Sequence, residues 1–254
     1  MSFFYPLEQS THLILKSKSI LIMWKKIILS IIGILLIGSG WMAYSINNEF
    51  EKLESDDPQV WEEVIRQFEE EDKNANYAKD AVLFVGSSSI RFWNTLKEDM
   101  APIPVIKRGF GGAKLNDVIH FADRIIFPHQ PKKIVLFAGT NDISGRVNDK
   151  TPEQVLIDFT RLIDKIHHAL PETEIYYLPI TPTSSRWEIW PQANKANQLI
   201  QSYAQNYAFI HFVETSSYFL NEQGNLIDDY LWFDGIHLNT KGYKLWTKLI
   251  KEKI

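Results

Sequence analysis

Four short segments of the chain carry side chains that together could perform acyl transfer. Ser88 lies in Gly-Ser-Ser-Ser, Asn141 in Gly-Thr-Asn-Asp, and Asp234 and His237 in Asp-Gly-Ile-His. A serine hydroxyl is a poor nucleophile until an imidazole accepts its proton. His237 is of the type to accept that proton, and Asp234 is of the type to bind the other ring nitrogen. The residue types therefore predict a triad of Ser88, His237 and Asp234.

A tetrahedral oxyanion needs hydrogen-bond donors that point at it. The candidates are the backbone N–H of Ser88, the backbone N–H of Gly112 and the side-chain amide of Asn141. Gly111 and Gly112 lie together, and glycine lets the backbone approach a substrate closely and adopt unusual dihedral angles. We therefore predict that these three donors form an oxyanion hole.

Each segment has a plainer interpretation when it is taken alone. A Gly-Ser-Ser-Ser run is typical of a flexible turn, and a single histidine is often just a surface or core residue. Ser87 and Ser89 are alternative nucleophiles beside Ser88. Arg186 and Trp187 are candidate substrate contacts, although a solvated loop would explain them as well. The combination, in this order along the chain, favours a catalytic site.

The elements that must position these side chains alternate along the chain. Apolar runs bounded by turn residues predict five buried strands, at Ala81–Val85, Val105–Lys107, Ile134–Ala138, Ile175–Ile180 and Phe209–Val213. Apolar spacing predicts helices around residues 60–68, after a capping box at Thr151–Gln154, over Asn194–Tyr207 and around residues 243–250. This alternation predicts an α/β domain whose parallel sheet has both faces covered. Every chemical segment follows a strand, and ligands of such sheets bind beyond the carboxyl ends of the strands.

These segments resemble the sequence blocks of the SGNH hydrolase superfamily, the GDSL-type esterases and lipases. The resemblance covers about residues 58–254 and is strongest to the branch that includes platelet-activating-factor acetylhydrolase-like proteins. It implies a three-layer, flavodoxin-like fold that works without a metal or a cofactor. It also implies that Ser88 is the nucleophile, that Gly112 and Asn141 bind the oxyanion, and that Asp234 and His237 complete the site.

Two positions depart from the family pattern. Ser87 stands where the first block usually carries an aspartate, and Ala113 stands where the second block often carries one. Neither position transfers a proton in the family. The departures therefore leave the catalytic prediction in place, but they weaken any substrate assignment taken from relatives.

A hydrophobic segment precedes the predicted hydrolase domain. Residues 27–46 carry no charge, and about 20 helical residues span about 30 Å, the thickness of the hydrocarbon core of a bilayer. Lys25 and Lys26 come directly before it, which predicts a cytoplasmic N-terminus and an exported domain. The prediction is thus a cytoplasmic segment at 1–26, a transmembrane signal anchor at 27–46, a linker at 47–57 and the hydrolase domain at 58–254.

The N-terminal region has a second interpretation. Residues 43–45, Ala-Tyr-Ser, form a small-x-small pattern at which a signal peptide could be cleaved, which would make the domain secreted or periplasmic. Met23, just before Trp-Lys-Lys, is an alternative start of the chain.

Composition excludes several other functions. The formal net charge of -4 gives no electrostatic basis for a nucleic-acid partner, and without cysteine there is no thiolate metal site or cysteine nucleophile. The loop at 86–89 lacks the lysine of a phosphate-binding P-loop.

The leading hypothesis is hydrolysis of small-acyl esters on a carbohydrate or lipid, outside the cytoplasmic membrane. Bulky side chains in the loop at 182–191, namely Arg186, Trp187 and Trp190, could wall a short acyl pocket. An O-acyltransferase would use the same triad, and a non-catalytic module that binds carbohydrate or lipid would keep only the fold. The sequence leaves these alternatives open.

Overall fold

The computed structural model describes Gly38, Trp41, Lys52 and residues 54–254. The elements below all belong to the compact unit Lys52–Ile254. Apart from Gly38 and Trp41, the predicted signal anchor at 27–46 lies outside the described residues, as do the whole predicted cytoplasmic segment and part of the linker. In the part of the chain that is described, no helix has both the length and the apolar character that a membrane crossing needs.

Five parallel strands form one sheet. They are β1 (Val82–Gly86), β2 (Val105–Gly109), β3 (Lys133–Phe137), β4 (Glu174–Tyr177) and β5 (Ile210–Phe212). Their spatial order is β2-β1-β3-β4-β5, which is the order of flavodoxin-like folds. The strand order reverses between β1 and β3, and ligands of such sheets bind at the carboxyl ends of the strands beside that reversal.

Seven α-helices are described. They are α1 (Glu62–Asn74), α2 (Ser88–Arg91), α3 (Leu96–Met100), α4 (Leu115–Ile125), α5 (Pro152–Ala169), α6 (Trp190–Ala204) and α7 (Thr240–Lys251). Short 3₁₀ turns at Pro58–Trp61, Phe127–His129, Ser184–Ile189, Ser216–Phe219 and Asp228–Tyr230 complete the connections.

The sheet separates two apolar cores, because successive strand residues point to opposite faces. Leu83 and Val85 of β1 face the core formed with α1, α4, α5 and α6. Val82 and Phe84 face the core formed with α2, α3 and α7, in which Trp93 and Trp246 are fully buried. This arrangement makes the three layers that the resemblance implies.

The predicted strands are all present, with bounds displaced by at most three residues. The capping box at the start of α5 is confirmed, since Thr151 and Gln154 exchange backbone-to-side-chain hydrogen bonds. The helix predicted over Asn194–Tyr207 instead begins at Trp190, where Pro191 suits the first turn, and it ends at Ala204. Helices α2, α3 and α4 lie outside the predicted set; α2 and α3 are too short to show a clear helical period.

Candidate active site

Ser88 is presented at the point where β1 ends and α2 begins. Gly86, the last residue of β1, has a φ of 148°, and a Cβ there would lie 2.0 Å from the carbonyl oxygen of Phe137. Only glycine therefore lets the chain pass β3 so closely before it turns. Ser88 is the first residue of α2, so its backbone N–H is one of those that a helix start leaves without an intrahelical partner.

The structure brings Ser88, His237 and Asp234 together across 149 residues of sequence. The hydroxyl oxygen Oγ of Ser88 lies 2.8 Å from Nε2 of His237. Nδ1 of the same ring lies 2.7 Å from Oδ2 of Asp234. These two hydrogen bonds join a hydroxyl, an imidazole and a carboxylate in the order that a Ser-His-Asp triad requires.

Hydrogen bonds to Asp234 and from Asn239 fix the loop that carries Asp234 and His237. Oδ1 of Asp234 accepts the backbone N–H groups of Ile236 at 2.9 Å and His237 at 3.0 Å. Partial burial disfavours the ionised carboxylate, but its hydrogen bonds with the side chain and backbone of His237 outweigh that effect and lower the pKa of Asp234. Asn239, which caps the start of α7, also donates to the carbonyl of Leu231 at 2.8 Å. The imidazole is therefore held by an ionised partner on a braced loop.

The neighbouring serines occupy different environments. Ser87 is fully buried, and its hydroxyl has no hydrogen-bond partner among the described residues. Ser89 is also buried, and its carbonyl oxygen accepts from the hydroxyl of Tyr243 at 2.9 Å. The hydroxyl that lies against His237 is that of Ser88.

The two loops that carry the predicted oxyanion donors contact each other. Gly112 has a φ of 75°, a backbone conformation that favours glycine. Nδ2 of Asn141 donates a hydrogen bond to the carbonyl of Ala113, the next residue, at 3.1 Å. An amide nitrogen carries two hydrogens, so this bond fixes Asn141 and leaves its second N–H for an oxyanion.

Asp142 ties the same two loops together beneath the site. Its buried carboxylate accepts the backbone N–H of Leu115 at 3.0 Å and a hydrogen bond from Nζ of Lys150 at 2.7 Å. Lys150 also lies 2.7 Å from Asp158 of α5. Sequence reasoning identified Asp142 as part of a block but missed this ion network, because Lys150 and Asp158 carry no motif of their own.

Arg186 contacts the loop that carries Thr140 and Asn141 and does not simply extend into solvent. Its guanidinium donates to the carbonyl of Thr140 at 2.7 Å and to Oδ1 of Asn141 at 3.3 Å. Desolvation, together with the charge of Arg146, lowers the pKa of Arg186 to about 10, so it stays charged at neutral pH. The structure thus gives Arg186 contacts with Thr140 and Asn141, and its direct contact with a substrate stays a prediction.

Aromatic residues flank the site in ways that the sequence showed only in part. Phe92 meets the ring of His237 edge to face, with 4.9 Å between the ring centres. Trp187 is partly exposed beside Arg186. Trp190 packs against the core at the start of α6 and also lines a small cavity with Arg186 and Thr140, and its role as the wall of a short acyl pocket stays a prediction.

A serine, a histidine and an aspartate joined by hydrogen bonds at the edge of a parallel sheet form the kind of arrangement with which enzymes perform acyl transfer. Residues 84–245 match the GDSL-like lipase/acylhydrolase family. The chain belongs to this family, and it is a hydrolase that acts on esters.

Solved structures agree on the fold. A Streptococcus pneumonia protein described as a platelet activating factor is 22% identical, with a TM-score of 0.69 over 83% of this chain and 97% of its own. A GDSL-like lipase from Bacteroides thetaiotaomicron is 20% identical, with a TM-score of 0.63 over 74% of this chain and 95% of its own. An acetyl-xylooligosaccharide esterase from Geobacillus Stearmophilus is 14% identical, with a TM-score of 0.57 over 70% of this chain and 95% of its own. None of the curated proteins compared with the chain matches it.

The contacts of Asn141 and Arg186 generate a paired prediction. Asn141→Ala should lower kcat for an aryl ester by about 10²–10³ with little change in KM, because the lost donor acts mainly in the transition state. Arg186→Gln should lower kcat less, and it should add little in the Asn141→Ala background if it acts through Asn141.

Steady-state kinetics of both single variants and the double variant would measure this coupling. Arg66→Gln is the matched control, because Arg66 is exposed on α1 and pairs with Glu63. Independent, additive losses, or an effect of Arg186→Gln on KM alone, would show that Arg186 binds substrate directly.

Proposed function

We propose that the protein hydrolyses carboxylic esters with Ser88 as the nucleophile, His237 as the general base and Asp234 as the residue that orients it. The observation that carries this proposal is the continuous pair of hydrogen bonds from Asp234 through His237 to Ser88. A serine, an imidazole and a carboxylate in this order recur on unrelated folds that perform acyl transfer.

In the first half-reaction, Oγ of Ser88 forms a bond to the ester carbonyl carbon while Nε2 of His237 takes the hydroxyl proton. The carbonyl oxygen becomes an oxyanion, and we assign its binding to the N–H groups of Ser88, Gly112 and Asn141. When the tetrahedral intermediate collapses, the bond to the alcohol oxygen breaks and His237 protonates the departing alcohol. The acyl group is left on Ser88.

In the second half-reaction, water takes the place of the alcohol. His237 accepts a proton from the water as its oxygen attacks the acyl carbon, and the same donors bind the second oxyanion. Collapse breaks the bond to Ser88, which regains its proton from His237 and releases the carboxylic acid. Asp234 keeps the imidazole in the required tautomer through both steps.

Substitution of the nucleophile tests this assignment. Ser88→Ala should abolish hydrolysis of p-nitrophenyl acetate while far-UV circular dichroism and thermal unfolding stay unchanged, because a half-exposed hydroxyl is all that is removed. Ser87→Ala and Ser89→Ala are the matched controls in the same turn. Turnover that survives in Ser88→Ala but is lost in either control would assign the nucleophile to a neighbour.

For the substrate, we propose a small acyl group on a carbohydrate or lipid alcohol. The cavity beside Asn141 has a volume of about 90 Å³ and is lined mostly by polar and charged side chains, Lys114, Arg146 and Asp149 among them. Such a lining suits a short acyl group better than a long alkyl chain. The esterase from Geobacillus Stearmophilus acts on an acetylated oligosaccharide and has the same fold, which supports this choice.

A series of p-nitrophenyl esters tests the acyl length. The ratio kcat/KM should be highest for acetyl and should fall through butyryl to octanoyl, because longer chains find little apolar surface in the cavity. Wild-type protein and Trp187→Ala, which removes the exposed ring beside Arg186, should be compared on the same series. A ratio that rises steadily to octanoyl would contradict a short acyl pocket.

We also propose that residues 27–46 anchor the protein in the cytoplasmic membrane with the hydrolase domain outside. This rests on the sequence, in which Lys25 and Lys26 precede an uncharged segment long enough to cross a bilayer.

Protease added to right-side-out spheroplasts that express the full chain should digest the domain and leave a cytoplasmic control protein intact. A domain that is protected until the cells are lysed would reverse the topology.

A further inference from the structure

Large apolar side chains are concentrated around the candidate active site. From Lys52 onward, eight are exposed among the described residues. Five of these form what we name the apolar rim: Phe92, Val147, Trp187, Trp232 and Phe233. Exposed apolar groups that cluster, unlike scattered ones, mark interaction surfaces.

Each rim residue lies next to a residue of the site. The ring of Phe92 contacts His237, and the backbone N–H of Trp232 donates to the carbonyl of His237 at 2.8 Å. Phe233 directly precedes Asp234 in the chain. The remaining two rim residues lie by Asn141: Trp187 follows Arg186, which bonds Asn141, and Val147 lines the cavity that Asn141 also lines. Each rim residue is thus linked to the site, either through a contact or through its neighbour in the chain.

One member of the rim protrudes too far to be a pocket wall. The exposed fraction of Phe233 is 97%, so its side chain contacts little in the domain. A wall of a concave pocket would be covered in part by its neighbours. The placement of Phe233 suits insertion into an apolar phase outside the protein, and Trp232 beside it has the amphipathic ring favoured at a membrane interface.

The chain joins the domain at the same edge. Nζ of Lys114 donates to the carbonyl of Ser55 at 3.1 Å and lies 2.6 Å from Oδ1 of Asp56. The residue before Lys114, Ala113, accepts the hydrogen bond of Asn141. Ser55 is therefore linked to the loop that carries Asn141 through Lys114 and Ala113.

The length of the connection limits how far the domain can lie from a bilayer that residues 27–46 cross. Eight residues separate Ser55 from the end of that uncharged segment, and the connection reaches at most about 30 Å when extended. A domain of this size is about 40 Å across. If residues 27–46 are anchored in a bilayer, the domain therefore stays close to its surface.

We propose that the apolar rim docks on the surface of a lipid bilayer, so that the mouth of the site opens onto the membrane. The inference rests on the proposed ester hydrolase and its membrane anchor, and it adds the surface from which the substrate is taken. Ester substrates presented by the membrane would then reach Ser88 without crossing bulk water.

The absence of cysteine from the chain makes a direct test possible. The full chain should be prepared as Phe233→Cys and, as a matched control, Ile157→Cys, and each should be labelled with a fluorophore. Ile157 is exposed by 56% on α5, outside the rim. Both proteins are then placed in phosphatidylcholine nanodiscs.

At position 233 we expect strong quenching by a nitroxide lipid and several-fold weaker quenching by aqueous iodide than at position 157. Equal iodide quenching at the two positions, or failure of the chain to associate with the nanodisc, would overturn the proposal. The proposal would also be overturned if position 233 were protected from iodide without being quenched by the nitroxide lipid, and if this protection were lost on dilution. A second copy of the chain would then cover the rim.

An activity measurement separates this inference from the proposed function. The variant Phe233→Ser should lose activity several-fold on an acetate ester of a long-chain alcohol dissolved in phosphatidylcholine vesicles, relative to Ile157→Ser. On water-soluble p-nitrophenyl acetate the two variants should be equal. A wild-type protein without activity on either ester would refute the hydrolase itself, while the quenching result would still decide whether the rim docks.

Discussion

The site depends on one constraint, the parallel pairing of β1 with both β2 and β3. Because the three strands run in the same direction and in fixed register, their carboxyl ends reach one edge of the sheet. Ser88, Gly112 and Asn141 follow these strands, so the proposed nucleophile and two of the proposed oxyanion donors are brought to that edge although no two of them are close in sequence. The reversal of strand order between β1 and β3 opens the gap in which they can face a substrate.

Buried polar groups then lock the loops that the sheet brings together. Asn141 binds the carbonyl of Ala113, Asp142 binds Leu115, and Arg186 reaches across from the fourth loop. Burial of such groups is unfavourable unless each finds a partner. The same hydrogen bonds that satisfy them hold the donors still, and fixed donors are what stabilise a developing oxyanion most effectively.

The apolar rim and the point at which the chain enters the domain, at Ser55, both lie next to residues of the site. Loops are the natural carriers of binding residues because the rigid sheet positions them without burying them. Here the loops after the strands supply both the polar groups that perform the chemistry and the apolar groups that protrude beside them. A bilayer that received the rim would meet the site and the point of entry at Ser55 on one side of the domain.

The sequence by itself determined the strand-helix alternation and supplied the candidates for the triad and the oxyanion donors, because residue type and local spacing carry that information. It also showed the capped start of α5, which depends only on Thr151 and Gln154. Tertiary structure decided what depends on contacts between distant segments. Of three adjacent serines it set Ser88 against His237, and it turned Arg186 from open solvent to Asn141. It also brought Lys150 to Asp142 and the ring of Phe92 to His237, since chain direction and packing, which no local pattern records, fix where such side chains meet.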